Sequence, residues 1–180
     1  MIDWLHGLAR RAPASGPRDG REPRAFPWED VTLPPVSFRG NGDDGFEIRV
    51  RAMTKWFPGY RGGHFALADV TTFQDREAKL FENFLLSTHE PVMLAAFLRR
   101  ALREQGKDRT VTLFDDQVML RVQGAGADRW NVLFHSVPFH GADPEPFEVT
   151  FAATGDAIRQ SIEELERLIP LLTPLQRVDP

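Results

Sequence analysis

The stretch "FEIRVRAMTKWF", residues 46–57, constrains the fold more than any other. Phe46, Ile48, Val50, Ala52 and Trp56 alternate with Glu47, Arg49, Arg51 and Lys55. Apolar residues at a period of two, with charge on the other parity, define a half-buried antiparallel strand and exclude a helix. "PGYRGG" then reads as a loop and "HFALADVT" as a second strand, so a hairpin joins them.

From Thr72 the period lengthens. Phe73, Glu77, Leu80, Phe81, Phe84 and Leu85 have the spacing of a helical stripe, with Thr71 or Thr72 as N-cap. The spacing predicts a helix over 72–85. A second helix is predicted from residue 90: Ser87 and Glu90 have capping-box spacing, Pro91 is tolerated in a first turn, and Gly106 stops it. Val92, Leu94, Ala95, Leu98 and Leu102 are expected on its core side, with Arg99, Arg100, Arg103 and Glu104 facing outward or sideways.

Strand segments follow. "TVTLFDDQVMLRVQ" is one long strand or a tight hairpin turning at Asp115 and Asp116, "GAGAD" is a turn, and "RWNVLFHSVPF" and "FEVTFAA" are strands around the turn "HGADPEP". The last helix runs from about Gly155 to Ile169 on the stripe Ile158, Ile162, Leu165 and Ile169, and Pro170 ends it. Strands and helices come in blocks, so the expected class is α+β: a mainly antiparallel sheet of five or six strands, packed on one face by two or three helices. The sequence shows no internal repeat.

Upstream, residues 2–10 are expected to make a short amphipathic helix with Ile2, Trp4, Leu5 and Leu8 apolar. "RRAPASGPRDGREPR", residues 10–24, holds five Arg and three Pro and reads as a linker or arm. "AFPWEDVTLPPVSF" is expected to lie extended over the domain, pinned by Phe26, Trp28 and Leu33. The organisation expected is a short N-terminal helix plus a Pro/Arg-rich arm over 1–38, a single α+β domain over 39–170 and a tail over 171–180. With 14 Phe the core should be rich in aromatic rings.

Composition removes whole classes of chemistry. There is no Cys, hence no disulfide, thiolate metal site or Cys nucleophile. The N-terminus lacks the pattern of an export signal, and no stretch approaches the ~20 apolar residues that cross a bilayer, so a cytoplasmic protein is expected. Residues 110–180 carry five basic and eleven acidic side chains, a net of −6, which disfavours nucleic acid and suits a basic protein partner. The nucleophile elbow, HExxH, phosphate-loop and dinucleotide-binding motifs are all missing, so no catalytic residue and no cofactor is expected.

Two clusters remain. Residues 130–151 bring together His135, His140, Asp143, Glu145 and Glu148. Strand parity places His135 with Leu133, Val137 and Phe139, and His140 on the other face, so the histidines do not converge on a metal. Ser136 likewise points away from His135. Pro144 and Pro146 make "GADPEP" a stiff acidic tip between core strands, and no metal is expected there. In "WFPGYRGGHF", Trp56, Phe57, Tyr60 and Arg61 are the residue types enriched at binding hot spots, and the loop joins two strands instead of opening a helix, as a phosphate site would require. The partner-binding candidates are therefore Trp56, Phe57, Tyr60 and Arg61 with the acidic Asp115, Asp116, Asp128, Asp143 and Glu145.

The order of "FEIRVRAM", "ADVTTFQDREAKLFENFLL", "VMLRVQG", "WNVLFHSVPF", "PFEVTF" and "AIRQSIEELERLI" resembles that of small bacterial immunity proteins of the WapI type. That resemblance implies a bacterial, non-enzymatic protein that binds and blocks a toxin, with no catalytic residue to carry over. The expected function is a protein-binding module, an immunity protein in its specific form. An accessory subunit that orders its 1–38 arm against a neighbour is the alternative, followed by a metal-dependent hydrolase using His135, His140 and Asp143.

Overall fold

A computed structural model describes residues 28–54, 65–114, 116–136 and 147–172. Its spine is the alternating strand: β3 (Gly45–Thr54) buries Phe46, Ile48, Val50 and Ala52 and turns Arg49 and Arg51 to solvent. One side of β3 is taken by two short strands in succession. β1 (Trp28–Asp30) pairs with Thr54–Ala52, and β2 (Val36–Arg39) pairs with Ile48–Gly45. Pro34 and Pro35 have no N–H to give a ladder, which accounts for the break between the two. Residues 28–38, assigned to the arm from sequence, thus contribute two strands, with Val36 and Phe38 in the core. On the other side of β3 lie β4 (Phe65–Gln74) and then β5 (Glu77–Ser87), giving sheet A four strand positions.

The helix predicted over 72–85 is a β-hairpin. Asp75 and Arg76 both have positive φ, 52° and 68°, and Gln74 pairs with Glu77, the geometry of a two-residue turn matched to strand twist. The helical stripe has a physical source. A bulge at Glu82–Asn83, with Asn83 at φ 68°, inserts one residue between Phe81 and Phe84. Two same-face positions that would stand at i and i+2 then stand at i and i+3. Opposite this bulge, Asp69 accepts the Asn83 N–H (3.2 Å) and faces Arg51 (3.4 Å), whose guanidinium also reaches Asn83 Oδ1 (2.5 Å). Arg51 marks the register shift in β3, so one carboxylate serves both irregularities.

Helix α1 (Glu90–Arg103) follows; its N-cap is His89 and not Ser87, so of the predicted capping box only the bond from the Ser87 N–H to the Glu90 carboxylate (2.6 Å) is formed. Its buried stripe is Pro91, Leu94, Ala95, Leu98 and Ala101; Val92 is exposed (48%), because Pro91 takes the inward position one residue earlier. Past α1 the chain starts a second sheet, B, a meander of β6 (Asp108–Leu113), β7 (Val118–Gly124), β8 (Arg129–Ser136) and β9 (Glu148–Thr154). The expected single sheet of five or six strands is therefore two antiparallel sheets, because α1 separates β6 from β5 and leaves β6 free to begin a ladder of its own. Of the two readings of residues 110–123, the hairpin is found, turning through Phe114 and Asp116 at φ 56° and 63°.

Helix α2 (Gly155–Leu172) closes the described chain, and two helices are present among the described residues. It runs through Pro170, where the sequence predicts its end. Pro170 breaks only a bond of the last turns, and the helix goes on to bury Leu172. In element order the chain repeats itself, four strand positions and a helix each time, although no sequence repeat announces it.

The inner faces of both sheets meet in a run of phenylalanines. Phe46 stacks between Phe38 (4.3 Å) and Phe134 (3.7 Å), Phe134 meets Phe147 (5.4 Å), and Phe147 meets Phe81 and Phe84 of β5. Burying each ring removes the apolar area worth about 2–3 kcal/mol. Helix α2 seals one strand edge: Glu164 accepts the Ser37 N–H (2.7 Å), and the Ser161 hydroxyl donates to the Ser37 carbonyl (2.8 Å).

Candidate partner-binding surface

The two ends of the sheets are built differently. One end holds short connections: 40–44, the two-residue turn at 75–76, and 125–128. The other receives the long ones. The 55–64 connection leaves β3 at Thr54 and enters β4 at Phe65, and the 137–146 connection leaves β8 at Ser136 and returns at Phe147. Both chain segments outside the described core attach there too. Trp28 pairs with Thr54, and the last turns of α2, through Leu165 and Leu168, pack with Glu90, Pro91, Leu113 and Phe114.

These attachment points are tied in a row. Phe65 pairs with Ser87, and the Ser87 N–H donates to Glu90 Oε2. The other oxygen of Glu90 accepts the Phe114 N–H, bridging sheet A to the β6–β7 turn. Beyond that turn Val118 pairs with Ser136. The Ser136 hydroxyl accepts the Phe147 N–H (2.9 Å), and the Ser136 N–H donates to the Phe147 carbonyl (2.9 Å). Glu90 and Ser136 are 7% exposed each, so these polar groups are buried because they are bonded. Ser136 faces the core and His135 the opposite side, as parity requires; the imidazole Nδ1 lies 3.1 Å from the Ser136 carbonyl, and Glu148 is its cross-strand neighbour.

The candidate residues divide accordingly. Asp116 is exposed on the β6–β7 turn at the long-loop end. Trp56, Phe57, Tyr60, Arg61, Asp115, Asp143 and Glu145 lie outside the described residues, as does His140, but their segments attach at that end. Asp128 is not brought to them. It sits beyond the far end of β7, a strand of seven residues or roughly 23 Å. Its carboxylate lies against the first turn of α2, so close that a Cβ on Gly155 would stand 2.2 Å from Asp128 Oδ1. The positive end of the helix dipole favours a carboxylate there. The sequence spacing anticipates the bond of Glu90 to the Ser87 N–H, but its second bond, to an N–H 24 positions away, has no local signal. Ser136 and Phe147 were missed as loop anchors for the same reason.

Among the described residues no three His, Asp or Glu side chains are grouped to hold a metal. Among the described residues, two partly open hollows of about 10 Å³ each, lined mainly by core side chains, are far below the several hundred Å³ of a ligand pocket. Among the described residues no helix is long and apolar enough to cross a membrane.

No family model matches the chain, and no curated protein matches it. Among solved structures, that of the plant transcriptional regulator PBF-2 is similar over 79% of this chain and 84% of that one, at 8% identity and a TM-score of 0.44. A likeness this slight carries no argument about function.

Proposed function

We propose that the chain is a non-catalytic protein-binding module that holds a basic protein partner at its long-loop end. The observation that carries this reading is the convergence of both long connections on one end of the scaffold, with their anchors locked together through Glu90 and Ser136. Binding segments are commonly loops displayed by a rigid frame. Trp56, Phe57, Tyr60 and Arg61 supply the aromatic and guanidinium contacts, and Asp115, Asp116, Asp143 and Glu145 supply the negative charge that steers a basic partner. Blocking of a basic bacterial toxin is the specific form implied by the resemblance to immunity proteins. The stretch 72–85, predicted as a helix and included in the matching "ADVTTFQDREAKLFENFLL", is a hairpin, so the binding reading rests on the loop end and not on element order.

The test is affinity capture from native lysate at about 50 mM and about 500 mM salt, with wild type and an Asp115→Asn/Asp116→Asn/Asp143→Asn/Glu145→Gln variant. A basic protein retained by wild type at low salt, released at high salt and held at least about tenfold less by the variant is expected. Equal retention by both proteins would sink the reading.

A further inference from the structure

We infer that the chain pairs with a second copy of itself through the first half of β5, strand against antiparallel strand, about a two-fold axis at Ala78. β5 is the outer strand of sheet A, and residues 77–80 are exposed on both of its faces. Leu80, at 60%, is the most exposed large apolar side chain among the described residues. The two-residue turn fixes which backbone groups are free. Gln74 and Glu77 close it as a hydrogen-bonded pair, so Thr72–Lys79 and Val70–Phe81 are hydrogen-bonded too. Ala78 and Leu80 fall between these pairs and turn their N–H and C=O groups away from β4. Two other sheet edges are shielded: Asn41 donates to the Ala152 carbonyl of β9 (2.9 Å), and α2 seals β2 at Ser37. The β5 edge is also held in place. The Asp75 N–H donates to Asp44 Oδ1 (3.0 Å), and the Arg39 guanidinium stacks on Phe73 (3.6 Å), the cross-strand neighbour of Ala78.

Free groups at Ala78 and Leu80 allow three two-fold registers of one copy on another, and side-chain chemistry selects among them. Centred on Lys79, the pairing sets like charges opposite each other. Centred on Leu80, it carries Ala78 against Glu82, into the bulge at Glu82–Asn83 where the ladder is interrupted. Centred on Ala78, it places Glu77 opposite the second copy's Lys79 on both sides of the axis, with the smallest side chain of the strand on the axis itself. The two Ala78 residues then exchange both of their N–H···O=C bonds, and Leu80 covers the stem of the second copy's Arg76. Two copies of sheet A become one sheet, and their long-loop ends face opposite ways. Residues 76–80 are few against the roughly 20–30 residues a side of a standard interface, so a weak dimer is expected, with a Kd on the order of 0.1 mM.

Sedimentation equilibrium of the full chain, from about 0.02 to about 1 mM, should show this dimer. Lys79→Glu should raise its Kd at least about tenfold, and Glu77→Lys/Lys79→Glu should return it to within about threefold of wild type. Both side chains are exposed, so these variants keep the fold. The native chain has no Cys, so single cysteines read the register directly. Ala78→Cys brings two thiols to a Cα separation of about 5.5 Å, within disulfide range, whereas Leu80→Cys leaves them roughly 14 Å apart. Under mild oxidation at about 0.2 mM, the first should cross-link at least about tenfold faster than the second. The inference is overturned by a chain that stays monomeric at about 1 mM, or by equal cross-linking at the two positions. A Kd that Lys79→Glu leaves unchanged, or that the double exchange does not restore, overturns it as well.

Discussion

Sheet A is irregular where sheet B is regular, although both are four strand positions followed by a helix. Sheet A divides its first position between β1 and β2, shifts register in β3 at Arg51 and bulges in β5 at Asn83. Sheet B pairs without a shift from Asp108 through Thr154. The long connections also differ in place: in the first half the loop joins the second and third strand positions, in the second half the third and fourth. Because β6 sets off from the far end of α1, the second sheet counts its ends in the opposite sense, and non-equivalent connections emerge side by side. The lesson is that length has collected at one end of the molecule, not at one position of the repeat. The seams between the halves decide whether that end is rigid.

The largest effect should come from the seam of the core. Phe46 belongs to sheet A and stacks on Phe134 of sheet B, with Phe38 behind it and Phe151 edge-on. Phe46→Ala should cost about 3–5 kcal/mol, since the ring is fully buried and its neighbours cannot all collapse into the space. Denaturant unfolding followed by tryptophan fluorescence and by far-UV dichroism should still give one coincident transition at a lower midpoint. Two separated transitions would show that the halves fold as independent units and would break the comparison.

Much of this architecture was legible in the sequence, and what was not has definable causes. The alternation of 46–52 survives as β3, and the apolar stripe of 158–165 as α2, because each signal is local and the tertiary structure uses it unchanged. The stretch 73–85 misled because a bulge imitates helical spacing, and the deciding fact, positive φ at Asp75, Arg76 and Asn83, leaves no mark on apolar periodicity. Those are residues of types that tolerate or are forced into the left-handed region, but Asp-Arg is not among the usual turn pairs. The acidic candidates were legible as a set, yet their division into Asp116 at one end and Asp128 at the other follows only once the meander is counted. Glu90 was half legible: its bond to Ser87 is three residues away, its bond to Phe114 is tertiary.

That second bond sharpens the comparison at the next scale. Glu90→Gln keeps the shape of the side chain but replaces one of two anionic acceptors with an amide N–H₂, leaving the Ser87 or the Phe114 N–H without its partner. The expected cost is about 1–3 kcal/mol, the range for a buried donor left unsatisfied. Hydrogen exchange should quicken at the Ser87 and Phe114 amides, on both sides of the seam, while the amides of Ala157 and Ala125 at the other end keep their protection. Unchanged exchange at Phe114 would mean that the loop anchors are not held through this carboxylate.

The smallest effect, and the one with a defined pH window, belongs to the seam at the other end of α1. Glu104 accepts hydrogen bonds from Lys107 (2.9 Å), from Arg100 (3.1 Å) and from Arg109, so the last turn of α1 is tied to the start of β6. These bonds, Lys107 first and then Arg100, with the charge of Arg109 beside them, pull the carboxyl from its usual 4.5 to about 2. A depressed carboxyl pKa contributes stability that is complete above about 4.5 and is lost as the pH falls toward about 2. Glu104→Gln removes this titration, so the variant should melt below wild type at pH 7 and the gap should close between pH 4.5 and 2. The gap should be small, because the group lies at the surface and its ion pairs are screened. Asp108, held below its usual range by Arg121 across β6 and β7, is present in both proteins and cancels in the difference. Thermal melts of both proteins at pH 7, 4 and 2.5 decide the matter. A gap that stays constant across this range would show that the ion pairs at Glu104 do not join the two halves, and would leave Phe46 and Glu90 as the seams that matter.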